Sequence, residues 1–214
     1  MDKFRHLVVE GPIGAGKTTL ARRLAARLSA DLVLEQPAEN PFLSRFYQDM
    51  PRYALPTQLF FLFQRARMLE PLAQPDMFGR AVVADFLLDK DPLFARITLS
   101  ADELALYLKI YEALRPQAPG PDLVIYLQAP IDVLLERIER RGIRYEQHIE
   151  REYLEKLQEA YARFFHDYDA SPLLIVNAAQ ADFISNERDY LQLLEQVQRI
   201  RRGRHYYNPL PGRD

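Results

Sequence analysis

Short, continuous apolar runs recur along the chain, separated by longer segments with helical periodicity. The runs lie at residues 7–9, 32–34, 81–84, 123–127 and 173–176. They are continuous rather than alternating, which is typical of strands buried on both faces of a parallel sheet. The pattern predicts an α/β fold with a five-stranded parallel sheet and helices on both faces.

The intervening segments carry the apolar repeat of amphipathic helices. Leu20, Leu24 and Leu28 follow one another at intervals of four residues and lie on one helix face. Ser100 and Glu103 form a capping-box pattern that opens another helix. Helices are predicted at residues 17–28, 56–72, 101–114, 131–141, 150–168 and 187–200, the second of them opened by Pro56.

Composition narrows the class of protein. The 214 residues are 48% hydrophobic and 27% charged, which is typical of a folded globular domain. The net charge of −2 favours neither nucleic acid nor a membrane as a partner, and the lack of cysteine excludes disulfides and thiolate metal sites. With no membrane-length apolar run and no signal-peptide pattern, we expect a cytoplasmic protein with one domain at residues 1–200 and a solvated tail at 201–214.

Residues 10–19 read EGPIGAGKTT and fit the phosphate-loop pattern G-x-x-x-x-G-K-[ST] between a strand and a helix. Backbone N–H groups of such a loop cradle phosphate oxygens at the positive end of the helix. Lys17 is placed to reach the β- and γ-phosphates, and the Thr18 hydroxyl to bind Mg²⁺. The predicted ATP-binding residues of the loop are Gly11, Pro12, Ile13, Gly14, Ala15, Gly16, Lys17, Thr18 and Thr19.

Two carboxylates follow predicted strands. Glu35 is expected near the γ-phosphate, because ligands bind beyond the carboxyl ends of parallel strands. There it can orient an acceptor hydroxyl and accept its proton. Asp85 ends the third strand, either as a magnesium ligand or as a residue that caps a turn. The guanine-reading pattern Asn-Lys-x-Asp of GTP switches does not occur in the sequence, which favours a small-molecule kinase.

From residue 4 to about residue 183 the chain resembles the deoxynucleoside kinase family. The phosphate loop matches the family motif, and Glu35-Gln36-Pro37 matches its catalytic Glu-Pro element with one extra residue. Tyr47 and Gln58 keep the spacing between the family's sugar-binding tyrosine and its base-reading glutamine. Arg65 matches an arginine of members that accept purines or cytosine. The resemblance therefore implies a P-loop NTPase fold with a nucleoside site beside the phosphate loop.

The same resemblance extends to an arginine-rich lid. Arg137, Arg141 and Gly142 match the pattern Arg-x-x-x-Arg-Gly, and Glu146 follows at the family's position. The arginines are implied to clamp the phosphates during transfer. Glu146 is implied to bind the sugar 3′-hydroxyl together with Tyr47.

The base-binding region departs from the family. Arg65 needs a buried carboxylate partner, which is either Asp89 or Asp91. Phe94 and Ile13 are implied to sandwich the base. Family members carry an arginine directly after the residue that matches Asp85, to hold the acceptor's 5′ end and the catalytic carboxylate. Here that position is Phe86, and the substitutes considered are Arg52, Arg80 or a lid arginine.

The implied reaction is transfer of the γ-phosphate of ATP to the 5′-hydroxyl of a deoxyribonucleoside, with Mg²⁺ held by Thr18 and Asp85. Purine acceptors are favoured over pyrimidines, with deoxycytidine left open. Glu35, Lys17, Arg137 and Arg141 are the implied catalytic residues. We expect a homodimer with no nucleic-acid or membrane partner. The alternatives are a thymidylate-type monophosphate kinase, which would need an arginine after Asp85, and a non-catalytic nucleotide-binding regulator.

Overall fold

The computed structural model describes residues 4–73, 80–115, 120–179, 182–183 and 185–209 and is built around a parallel sheet. Its strands are β1 (His6–Glu10), β2 (Asp31–Val33), β3 (Val82–Ala84), β4 (Leu123–Gln128), β5 (Leu173–Asn177) and β6 (Arg204–Tyr207). They lie in the order β2-β3-β1-β4-β5-β6, and every neighbouring pair is parallel. The predicted α/β class and parallel sheet are confirmed.

Eight α-helices connect these strands in the described ranges. They are α1 (Lys17–Leu28), α2 (Leu43–Phe46), α3 (Met50–Leu69), α4 (Asp91–Thr98), α5 (Ala101–Leu114), α6 (Ile131–Arg141), α7 (Arg151–Asp167) and α8 (Glu187–Arg199). Alternate side chains of β1 enter different cores: Leu7 packs with residues of α1 and α8, whereas Val8 packs with residues of α7. Helices therefore cover both faces of the sheet, as its continuous apolar strands require.

The predicted number of strands was wrong, because the sheet has six rather than five. Residues 204–207, which the sequence analysis assigns to a solvated tail, pair in parallel with β5. The Arg204 guanidinium ties this strand down by donating to the carbonyl oxygens of Phe165 at 3.0 Å and His166 at 2.6 Å. As an exposed edge strand, β6 has no continuous apolar run to reveal it. Tail residues 210–214 lie outside the described residues.

Helix α3 begins at Met50, six residues before the predicted start at Pro56. Pro56 lies inside the helix, where its ring removes one N–H donor, but the flanking residues Ala54 and Leu62 are fully buried. Burial of this face offsets the lost hydrogen bond. Gln58 and Arg65 both lie on this helix, within its predicted range. No helix within the described ranges is long and apolar enough to cross a membrane.

Candidate active site

A cavity of about 740 Å³ opens beyond the carboxyl ends of the central strands. Every predicted ATP-binding residue except Pro12 lies on its wall, and so does every predicted nucleoside-binding residue except Asp91. Pro12 lies next to the wall, and its carbonyl oxygen accepts a hydrogen bond from Lys17 Nζ at 3.2 Å. The fold thus brings together residues that come from six separate segments of the chain.

The phosphate loop has the backbone shape that anion binding requires. Gly14 and Gly16 have φ angles of 84° and 97°, in the left-handed region that favours glycine. A Cβ at Gly14 would lie 2.8 Å from the carbonyl oxygen of Leu134 in α6. Gly16 caps α1, so the loop ends at a helix N-terminus, where phosphate is favoured. Burial lowers the pKa of Lys17, and the positive charge of Lys90 lowers it further.

Thr18 and Asp85 meet at the foot of this loop. Thr18 Oγ1 donates to Asp85 Oδ2 at 2.5 Å, and Asp85 Oδ1 accepts from the Glu35 backbone N–H at 2.8 Å. Burial raises the pKa of Asp85, although the Thr18 hydrogen bond opposes the shift. The described residues contain no group of three or more metal-binding side chains. A hydroxyl with one carboxylate fits Mg²⁺, which takes few protein ligands and completes its shell with phosphates and water.

Arg65 joins two carboxylates at the nucleoside end of the cavity. Its side chain is only 4% exposed, and Nε donates to Glu35 Oε1 at 2.6 Å while a terminal nitrogen pairs with Asp91. Asp89 instead pairs with the exposed Arg115 at 2.8 Å. Of the two alternatives in the sequence, Asp91 is therefore the partner of Arg65. It lies behind Arg65 rather than on the cavity wall.

Glu35 stays ionised in this setting. Burial by itself would raise its pKa, but the charges of Arg65 and Lys90 bring the pKa below its ordinary value. The Glu35 side chain lines the same cavity as the phosphate loop. The arrangement supplies a charged acceptor for a hydroxyl proton beside a phosphate-binding loop.

Tyrosines surround the part of the cavity assigned to the sugar. The Tyr47 ring stacks on Tyr145 with centroids 6.3 Å apart and meets Tyr153 edge-on at 6.4 Å. Burial raises the pKa of Tyr47 well above its ordinary value, with contributions from Tyr153 and the charge of Glu146. Tyr47 is therefore a neutral hydroxyl that can donate a hydrogen bond, and Glu146 is a carboxylate on the same cavity wall.

The predicted lid arginines lie at the end of α6. Arg141 donates to Glu146 Oε2 from Nε at 3.0 Å and from a terminal nitrogen at 2.5 Å. Arg137 donates to the carbonyl oxygen of Ala178 at 2.7 Å. Gly142 ends the helix with a left-handed φ of 68°. Arg137 and Arg141 both border the cavity that the phosphate loop lines. The Arg141–Glu146 pair joins the end of α6 to a residue predicted to bind the sugar.

Sequence reasoning missed several residues of the cavity wall. Among them are Phe61, Lys90, Tyr153 and Tyr161. Tyr153 and Tyr161 follow the apolar repeat of α7, so the sequence predicts them to be core residues. Lys90 is a single lysine in a loop, and no sequence motif indicates a function for it. Two arginines considered as substitutes lie outside the wall: Arg52 is exposed against Tyr53, and Arg80 is exposed near Asp31.

Comparison with known proteins shows that the chain is similar to enzymes that phosphorylate nucleosides. A family model described as deoxynucleoside kinase matches residues 7–201. The chain is 36% identical over 207 residues to deoxyguanosine kinase of Bacillus subtilis (strain 168), a match that covers 94% of this chain and 99% of the relative. It is 29% identical over 205 residues to deoxyadenosine/deoxycytidine kinase of the same organism, covering 92% and 93% respectively.

Solved structures of similar shape agree with the fold. Deoxyadenosine kinase from M. mycoides with dCMP and dCDP bound superimposes with a TM-score of 0.79 at 24% identity, over 91% of this chain and 100% of that one. The same enzyme with bound dATP gives a TM-score of 0.77 at 24% identity, over 90% and 99%. At this identity the likeness supports the fold alone.

Proposed function

Because this chain belongs to the deoxynucleoside kinase family, we propose that it uses ATP and Mg²⁺ to phosphorylate purine deoxynucleosides at the 5′-hydroxyl. Family membership makes the chain an enzyme that transfers phosphate from ATP to a deoxynucleoside in nucleotide salvage. We also propose that the enzyme works in the cytoplasm.

One observation carries the proposal: the phosphate loop and the Glu35–Arg65 pair face a single cavity. A donor phosphate on the loop and an acceptor hydroxyl at Glu35 would therefore be neighbours, which satisfies the positional demand of phosphoryl transfer. Glu35 orients the 5′-hydroxyl and accepts its proton. Lys17 holds the β- and γ-phosphates, while Arg137 and Arg141 neutralise charge on the transferred group.

Thr18 and Asp85 would hold Mg²⁺, which would supply positive charge to offset the negative charge of the phosphates. Their hydrogen bond places both oxygens at the start of α1. Asp85 also fixes the backbone of Glu35. A single carboxylate thus connects the proposed metal site to the proposed proton acceptor.

The proposed purine preference rests on Gln58 and Arg65 of helix α3 and on Asp91, which pairs with Arg65. The Gln58 amide offers a donor and an acceptor side by side, which suits bidentate pairing with a base edge. Arg65 borders the same cavity with Asp91 behind it, and Phe94 and Ile13 supply walls for the base. Tyr47 and Glu146 would bind the sugar 3′-hydroxyl. The names of the relatives include deoxyguanosine and deoxyadenosine kinases, which supports a purine acceptor.

We also propose a homodimer that uses the exposed face of α3 and α5. Phe63 on α3 and Leu106 on α5 are 53% and 49% exposed, high values for large apolar side chains. These helices share one hydrophobic cluster, so their outer surfaces are neighbours. The proposed interface rests on these two exposed apolar side chains, one on each of two helices that pack against each other. Sedimentation equilibrium on the wild type and on Phe63→Glu would test this assembly.

A phosphate-transfer assay tests the function. The panel contains the four deoxynucleosides, adenosine and the corresponding monophosphates, with ATP and Mg²⁺. We expect deoxyguanosine or deoxyadenosine to be turned over fastest. Turnover of a pyrimidine deoxynucleoside alone would refute the purine preference, and turnover of monophosphates alone would favour the thymidylate-type alternative.

The variant Glu35→Gln tests the proposed proton acceptor. We expect kcat to fall by about 10²–10⁴-fold, while the ATP affinity stays within about threefold of the wild type. Glu39→Gln is the matched control, because Glu39 lies in the same loop but is exposed and outside the cavity wall. Unchanged turnover in Glu35→Gln would contradict the assigned role.

A further inference from the structure

The position after β3 that holds an arginine in the resembling family is apolar here. Phe86 is buried and packs in the cluster formed by α3 and α5. Arg52 and Arg80 are exposed, and neither borders the cavity. Of the lid arginines, Arg137 donates to the carbonyl oxygen of Ala178 and Arg141 pairs with Glu146, and the proposed function uses both on the transferred phosphoryl group. The acceptor's 5′ end therefore depends on another cation of the cavity wall if the site is to hold a phosphorylated product.

Lys90 is a buried cation on the cavity wall. It lies in the turn between β3 and α4, and its side chain is 2% exposed. Nζ donates to Glu10 Oε1 at 3.2 Å and to the Tyr161 hydroxyl at 3.3 Å, and it lies 5.0 Å from the centroid of the Phe94 ring. Its charge also acts on the reacting groups, since it lowers the pKa of both Glu35 and Lys17.

Glu10 holds this lysine against the phosphate loop. Its Oε1 accepts from the Gly11 backbone N–H at 2.8 Å and from the Tyr161 hydroxyl at 3.0 Å, and its Oε2 accepts from the Leu87 N–H at 2.8 Å. One fully buried carboxylate thus connects the start of the loop, the segment after β3 and helix α7. These hydrogen bonds supply the compensation that a buried ion pair requires.

The ammonium group still has capacity to bind a ligand. An ammonium carries three N–H donors, and Glu10 and Tyr161 are the acceptors that hydrogen-bond it within the described part of the chain. The third donor is available on a side chain that borders the cavity. A lysine that served only to neutralise Glu10 would not need to reach this wall.

We propose that Lys90 binds the 5′ end of the acceptor and contacts the phosphoryl group as it arrives, in place of the family's arginine. This inference rests on the proposed function. During transfer the 5′-oxygen forms its bond to the γ-phosphorus, the bond from that phosphorus to the β,γ-bridging oxygen breaks, and the hydroxyl proton passes to Glu35. The Lys90 side chain takes no part in this proton transfer. Lys17 then contacts the phosphates of ATP, and Lys90 contacts the transferred phosphoryl group from the side of the acceptor.

The test compares binding of deoxyguanosine with binding of deoxyguanosine 5′-monophosphate by calorimetry. Lys90→Met leaves Glu10 as an unpaired buried charge, so the double variant Glu10→Gln/Lys90→Met is measured beside it, since a neutral pair can replace a buried ion pair without loss of stability. In the double variant we expect monophosphate affinity to fall by about 10–100-fold, the worth of one charge-assisted hydrogen bond, with nucleoside affinity within about threefold of the wild type. Lys156→Met, on an exposed i,i+4 pair, is the control.

Two results would overturn the inference while leaving the proposed function intact. One is a folded double variant that retains wild-type monophosphate affinity. The other is a Lys90→Met defect in kcat that Glu10→Gln cures, because the lysine would then act only on its carboxylate partner. A wild type that binds and phosphorylates no deoxynucleoside would overturn both proposals together.

Discussion

Replacing Arg65 with methionine should destabilise the fold strongly. Arg65 is 4% exposed and neutralises both Glu35 and Asp91. Removal of one partner from a buried ion pair costs about 3–5 kcal/mol, because the remaining charge is left buried without compensation. A domain of this length loses about 2–4 °C of Tm per kcal/mol. The expected fall in Tm is therefore about 6–20 °C.

Arg115→Met provides a matched control for the thermal unfolding assay. Arg115 pairs with Asp89 at 2.8 Å, but the two side chains are 52% and 31% exposed. An exposed ion pair contributes no more than about 1 kcal/mol, so Tm should fall by at most about 4 °C. Arg65→Met removes the partner of Asp91, and Arg115→Met removes the partner of Asp89. The two variants therefore compare the buried aspartate pair with the exposed one.

The difference between wild type and Arg65→Met should also depend on pH. Burial raises the pKa of Asp91 to about 6 even though Arg65 opposes the shift. Loss of Arg65 would raise the pKa of Asp91 further and would remove the main charge that lowers the pKa of Glu35. A carboxyl whose folded pKa lies above its unfolded value contributes stability at acid pH that is lost as pH rises. The Tm gap should widen from about pH 5 to about pH 8. Equal losses in the two arginine variants, or a gap that stays constant, would refute the reasoning.

Three further predictions concern the loop, the sheet edge and the pH profile. Gly14→Ala should weaken ATP binding by at least about tenfold in calorimetry, because the loop must move to separate the new Cβ from Leu134. The control Gly120→Ala should leave ATP binding unchanged, because its new Cβ would contact no other atom. Arg204→Ala should lower Tm by about 2–6 °C, since the hydrogen bonds that hold β6 are lost; an unchanged Tm would contradict that anchoring. The KM for the nucleoside should rise as pH falls through about 6, when Asp91 takes up a proton and releases Arg65. Over the same pH range kcat should stay constant, because the pKa of Glu35 lies below its ordinary value. A fall in kcat that parallels the rise in KM would contradict these separate roles of Asp91 and Glu35.

Much of the architecture follows from the sequence by itself. Continuous apolar runs predict five of the six strands, β1 to β5, because strands of a parallel sheet are covered on both faces. The capping box at Ser100 and Glu103 forms as its spacing predicts. The phosphate loop is also readable, since its glycines and Lys17 act through local backbone geometry within one short segment. These features depend on residues that are close together in the chain, so the sequence pattern predicts them directly.

The tertiary structure decides what depends on distant partners. Asp91 rather than Asp89 meets Arg65, and Lys90, which no sequence pattern singles out, lies on the wall of the cavity. Strand β6 forms because its backbone pairs with β5, not because its side chains are apolar. Each of these outcomes depends on how loops and helix ends converge across the sheet. Neither a buried charge's partner nor an edge strand's neighbour is encoded in local periodicity, because both are selected by desolvation and hydrogen bonding only once the chain has folded.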